Sequence, residues 1–172
     1  MSESIDIVQS RQVIDMLTVA NEFCHFTENL DGKNASDCFD FYQKLLPLLY
    51  LKGSLLPEIE VSDESANERF VTESHWEDIF LQTKSCLGSF DTFYSINENN
   101  QAEKTSFADQ LSDIYQDMKD FLMLFQKNRL SFQENAIAEC SLLFKQHWGI
   151  RCLRLVTYIH SKKFEIENED LF

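Results

Sequence analysis

The sequence predicts an all-α protein, an antiparallel bundle of five to six helices forming a single domain over residues 1–172. Three observations carry that expectation. Apolar residues recur at three- and four-residue spacings through most of the chain. Glycine and proline are scarce, 4 and 2 in 172 residues, too few for the tight turns of a β-sandwich. A hydrophobic content of 44%, with 15 Phe, is enough for a core without disulfide or metal staples, and too apolar for a disordered chain even at a net charge of −14.

The elements follow in order. A first helix is expected from about Ile5 to Leu30, where Val13, Leu17, Ala20 and Cys24 make a stripe that Met16 and Phe23 widen. "DGKNAS" breaks it, and Ser36 or Asn34 can cap a second helix with the stripe Cys38, Tyr42, Leu45 and Leu49. Pro47 should kink this helix, because it removes a backbone donor and crowds the preceding turn; Gly53 and Pro57 end it. Residues from about 57 to 70 read as an acidic surface loop. "SHWE" has the capping-box pattern, Ser74 with Glu77, and opens a helix through Trp76, Phe80 and Leu87 that stops near Gly88. A short aromatic piece, "SFDTFYSI", leads to a polar loop at about 97–105. Ser106 and Asp109 start the next helix. Ser131 and Glu134 repeat the capping signal before one long apolar helix interrupted only by Gly149, and an acidic tail at about 165–172 should fray.

Charge and cysteines narrow the function classes. The excess of acids repels phosphate backbones and anionic membranes, so general nucleic-acid binding and membrane adhesion are not expected. No apolar window is long enough to span a bilayer, and the first residues carry acids where a signal peptide needs a basic region. Cys24, Cys38, Cys86, Cys140 and Cys152 include no C-x-x-C pair and no zinc-finger spacing, which suggests a reduced, cytoplasmic protein. Nucleophile elbow, Walker loop and dinucleotide fingerprint are also missing from the sequence.

Three constellations could carry chemistry. In "DQLSDIYQDMKDF", Asp109, Asp113, Asp117 and Asp120 fall within an arc of about 80°, roughly 140° from the apolar stripe. Such a ladder of like charges is expected to face water, with Asp117, at the edge of the apolar stripe, as the exception. In "EFCH", Glu22 and His25 make the E-x-x-H pair of di-iron bundles, but the second copy such sites need is missing. In the last helix, Cys140, His147, Arg151 and Tyr158 share one line inside the apolar arc of Ile137, Leu143, Phe144, Trp148, Leu155 and Ile159. An arginine there needs a carboxylate, since leaving it unpaired would cost several kcal/mol. Asp117 is the first expected partner and Asp91, among Phe90, Phe93 and Tyr94, the second.

Several stretches together resemble a known family. "TVANEFCHF", "LLPLLYLKG", "RFVTESHW", "LSDIYQDMKDF" and "FKQHWGIRCLRL" are similar to segments of a bacterial family known only as domain of unknown function number 5063, from about Val13 to His160. The resemblance implies an all-helical bacterial cytoplasmic protein and supplies no activity.

The expectation is therefore a non-catalytic helical protein without cofactor or metal. It would bind a partner protein or small polar ligand through a polar cluster of Arg151, His147, Asp117, Tyr158 and Asp91. The alternative is a metal-dependent enzyme using Glu22, His25 and the aspartates of 109–120, Asp113 among them. Arg151 decides between a buried structural ion pair and an open cleft.

Overall fold

Caps and turn residues set most of the element boundaries. The computed structural model describes residues 2–97 and 99–169. Among them the chain begins with α1 (Ser2–Val8) and α2 (Arg11–Glu28), where the apolar stripe alone suggested one helix from Ile5 to Leu30. Ser10 divides the two: its backbone is extended and its hydroxyl accepts the Val13 N–H. Next, α3 (Ala35–Ser54) opens on Asn34 rather than Ser36, in a reciprocal capping box with Asp37. Helical backbone continues through Pro47, whose ring is exposed, so water can serve the carbonyl that lost its donor.

The cap of α4 (Glu73–Leu87) is Thr72, two residues before the expected Ser74; its hydroxyl accepts the His75 N–H. Gly88, at φ 55°, ends the helix where glycine tolerates that backbone. The chain is then not strictly all-α. β1 (Thr92–Ile96) pairs antiparallel with β2 (Ala102–Ser106), from Thr92 opposite Ser106 to Ile96 opposite Ala102. The expected polar loop at 97–105 is thus strand from Ala102 onward. The β-branched and aromatic residues Thr92, Phe93, Tyr94 and Ile96 favour an extended backbone. The Asn97 side chain closes the turn by accepting the N–H groups of Asn99 and Gln101.

Ser106 caps α5 (Phe107–Phe125) as expected, through the Asp109 N–H. α6 (Leu130–Leu143) does not use the expected Ser131–Glu134 box. Glu134 is buried and accepts instead from the Ser62 N–H and hydroxyl, at 2.9 and 2.5 Å. α6 passes through a π-helical turn (Phe144–Trp148) into α7 (Gly149–Glu169). The helix persists into the expected frayed tail as far as Glu169, and residues 170–172 lie outside the described residues.

The middle of the fold is α5, with α2, α4, α6 and α7 packed around it, while α3 lies along α2 and α7. Its residues are buried on nearly every side, from Ala108 and Leu111 to Asp117, Asp120 and Leu124. The acidic segment at 57–70 is tied down: the Asn135 side-chain amide donates to the Asp63 carbonyl, and a 3₁₀ turn (Glu64–Ala66) packs on α6. Trp148 is fully buried in a notch at Gly53, where a Cβ would come within 2.1 Å of its ring. Gly149 serves the π turn itself, since a Cβ there would lie 2.4 Å from the Phe144 carbonyl oxygen.

Candidate functional site

One side of α5 carries a continuous polar seam. Asp120 accepts the backbone N–H groups of Phe70 and Val71, at 2.8 and 2.9 Å, on one oxygen and Arg69 at 3.3 Å on the other. One turn back, Asp117 meets His147 Nδ1 at 2.5 Å and Arg69 at 3.6 Å. A further turn back, Asp113 accepts the Trp76 indole N–H at 3.1 Å on one oxygen. Its other oxygen takes both Nε and a terminal nitrogen of Arg151 at 3.0 Å. Arg151 also donates to the His147 carbonyl at 2.9 Å, and Arg69 donates to Glu139 at 2.7 Å. Two arginines thus gather carboxylates from α5 and α6, with His147 wedged between Asp117 and, at 3.7 Å, Asp113.

This geometry corrects the expected pairing. Arg151 binds Asp113; Asp117 is occupied by His147 and Arg69. The aspartate ladder is not a wet face either, because the Arg69–Val71 segment and the π turn cross it, leaving Asp117 and Asp120 at 5% and 6% exposure. Asp109, at the end of the ladder, forms no ion pair with an arginine among the described residues, and the charge of Arg151 only partly offsets its burial. Burial, with Asp113 beside it, raises its carboxyl above the ordinary range.

Asp91 and Tyr158 do not join the seam. Asp91 is buried at the start of α5, where it accepts the Ser106 hydroxyl and the Ala108 N–H. Tyr158 donates to the Phe90 carbonyl at 2.8 Å and stacks on Phe93 with ring centroids 4.5 Å apart, anchoring the hairpin to α7. Sequence reasoning missed Arg69, Glu139 and Trp76. Arg69 did leave a signal: it is a lone base closing an acidic segment, immediately before the apolar pair Phe70–Val71.

The residues of the metal alternative are not assembled. Glu22 and His25 lie exposed on α2, while Asp113 is bound to Arg151 and Trp76. Among the described residues no group of three His, Cys, Asp or Glu could hold a metal ion. Beside Arg69, Asp117, Asp120 and Glu139 the seam leaves a space of only about 10 Å³. That is about one water molecule.

A roomier feature is a groove of about 600 Å³ between β1 and α7. All five residues of β1 line it, and none of β2, so the strand turns towards it the edge that pairs with no other strand among the described residues. Across from that edge, α7 contributes Ile150, Leu153, Arg154, Thr157 and Tyr158. Tyr94, Ile96, Ile150 and Leu153 are large apolar side chains left 40–72% exposed around it. Arg154 Nε is shielded from water with no hydrogen-bond partner among the described residues.

A mostly helical fold with one hairpin, a closed polar seam and an open strand edge defines the class of protein. No helix among the described residues is long and apolar enough to cross a membrane. The chain belongs to the family described as domain of unknown function (DUF5063), whose profile matches residues 8–165. It is similar to protein BF1032 from Bacteroides fragilis, a structural-genomics target with a crystal structure: 33% identity over 91% of this chain and 95% of that one, with a TM-score of 0.83. No curated protein matches.

Proposed function

We propose that this protein is a non-catalytic binding module of the cytoplasm, a helical bundle that takes an extended segment of a partner protein along the free edge of β1. The single observation behind this reading is that edge. A strand edge presents unpaired N–H and C=O groups and is usually blunted by charge, proline or a covering element. β2 carries Glu103 and Lys104, whereas β1, "TFYSI", carries no charge and no proline. A partner strand added there would gain main-chain hydrogen bonds, and its side chains on one face would meet the apolar wall of α7. Arg154 lines the same groove in a chain of net charge −14, and its Nε lacks a hydrogen-bond partner among the described residues, which favours a partner segment mixing apolar and acidic residues.

The polar seam then serves as a brace rather than a ligand site. It holds α4, α5 and α7 in register and leaves no room for a ligand beyond water.

The test is a peptide array of octamers alternating apolar with acidic or neutral residues, followed by affinity measurement on the best binder. Acidic–apolar peptides should bind, and N-methylation of alternate backbone nitrogens should abolish binding while keeping every side chain. Absence of binding across the array, or binding indifferent to N-methylation, would overturn strand addition.

A further inference from the structure

We propose that Cys38 and Cys86 are a modification site, a thiol pair that forms a reversible disulfide between α3 and α4. Their sulfurs approach to 3.1 Å although the residues are 48 apart in sequence. An S–S bond of about 2.05 Å needs only about 1 Å of further approach. The cysteines differ in access. Cys24, Cys38, Cys140 and Cys152 are buried, and Cys86 alone is half-buried, with its thiol also 3.5 Å from the Lys33 carbonyl. Burial, and then the neighbouring Cys86 thiol, hold Cys38 protonated. Cys86 is therefore the sulfur that a soluble oxidant meets first, and Cys38 the resolving sulfur behind it.

The oxidant class is a low-molecular-weight disulfide such as oxidised glutathione. The Cys86 thiolate attacks one glutathione sulfur, giving a mixed disulfide and releasing one glutathione thiolate. Cys38 then loses its proton and attacks the Cys86 sulfur, expelling the second glutathione thiolate. Two protein thiols are oxidised by two electrons, one glutathione disulfide is reduced, and the two protons end on the two released glutathiones. In a reducing compartment such a bond would be transient and responsive to the thiol pool. While present it would tie α3 to α4 beside the Asp31–Asn34 turn.

The full chain is incubated with oxidised glutathione without denaturant, quenched with iodoacetamide and mapped by peptide mass. Wild type should lose two of its five thiols and yield a linked Cys38–Cys86 peptide, reversed by reductant. Cys38→Ser should trap one glutathione on Cys86, and Cys86→Ser should keep its remaining thiols free. The oxidised protein should also melt at a higher temperature than the reduced one, because the cross-link restricts the unfolded chain. Wild type that keeps all five thiols, or holds glutathione on Cys86 without a linked peptide, would overturn the assignment. Both outcomes are read on the wild-type protein, so they stand even if a variant fails to fold.

Discussion

The polar seam along α5 and the groove beside β1 invert the usual association of charge with function. The seam holds the chemistry-bearing residues, His147, Arg69, Arg151 and three aspartates, yet it is filled: each carboxylate has donors, and the space left is that of one water. The groove is built mostly from apolar side chains and strand backbone, and it is open. Charges inside a fold must find partners or the fold suffers, so a dense polar cluster is first a structural requirement. Exposed apolar side chains beside an unpaired strand edge are under no such requirement, and water makes them costly. The region that the rest of the fold leaves unsatisfied is therefore the better candidate for recognition.

Mutations that spoil the seam should unfold the protein, and this is the largest expected effect. Arg151→Ala should lower stability by about 3 kcal/mol, since it leaves the Asp113 carboxylate facing a space its partner filled. Both side chains are about one-fifth exposed, which places the loss at the low end for such pairs. In a double-mutant cycle by urea unfolding, Arg151 should couple to Asp113 by more than about 1 kcal/mol, and to Asp117 by less. Equal coupling to both would mean that the guanidinium moves between them. Asp120→Ala comes next, at about 2 kcal/mol, because the Phe70 and Val71 amides lose their shared acceptor. A change below about 0.5 kcal/mol would show that the Arg69–Val71 segment is not held by this carboxylate.

The sequence revealed the seam's anchor and not its wiring. Arg151 announced itself as a charge inside an apolar stripe, an anomaly that one helix suffices to show. Choosing Asp113 over Asp117 was beyond reach, because the two differ by one turn of α5, about 5.4 Å along the axis. Which turn faces Arg151 depends on how α7 leaves the π turn, and that turn breaks the uniform periodicity on which the line from Cys140 to Tyr158 was drawn. Burial of Asp117 and Asp120 was hidden for a related reason. A polar face on a single helix reads as wet, and only the packing of residues 69–71 across it shows otherwise. Local signals did better: Asn34, Ser106 and Gly88 mark their boundaries because a cap involves only three or four neighbouring residues. The hairpin was missed because its turn lacks the Asn-Gly or Asp-Gly pair that announces a tight one.

A smaller effect, of opposite sign, separates the two ends of the aspartate ladder. Asp109 is half-buried without an arginine of its own, and its carboxyl is raised by burial and by Asp113. A raised carboxyl penalises the folded state where the group is charged, above its folded pKa. The penalty fades as pH falls through that value and is gone below the unfolded one. Asp109→Asn should therefore stabilise the protein at pH 7 by up to about 0.5 kcal/mol, with the gain shrinking towards pH 4. Urea titrations at the two pH values would check this, and a loss of stability at pH 7 would show that Asp109 is paired after all.

The smallest effect on stability is expected in the groove, where the effect on binding should be largest. Ile96 is 57% exposed and Tyr94 is 72% exposed, so neither contributes much buried area to the fold. Ile96→Lys should change unfolding stability by no more than about 0.5 kcal/mol, as expected of a surface position away from caps and ion pairs. The same change puts a charge on an edge that natural proteins guard with charges, and a strand laid against it must bury or displace the ammonium group. Affinity for the best acidic–apolar peptide should fall at least tenfold, about 1.4 kcal/mol. Arg151→Ala, measured below its unfolding temperature, should leave peptide affinity within about threefold of wild type, which is under about 0.7 kcal/mol. If instead the seam variant lost the peptide and Ile96→Lys kept it, recognition would belong to the polar cluster and the groove would be no more than a gap between hairpin and helix.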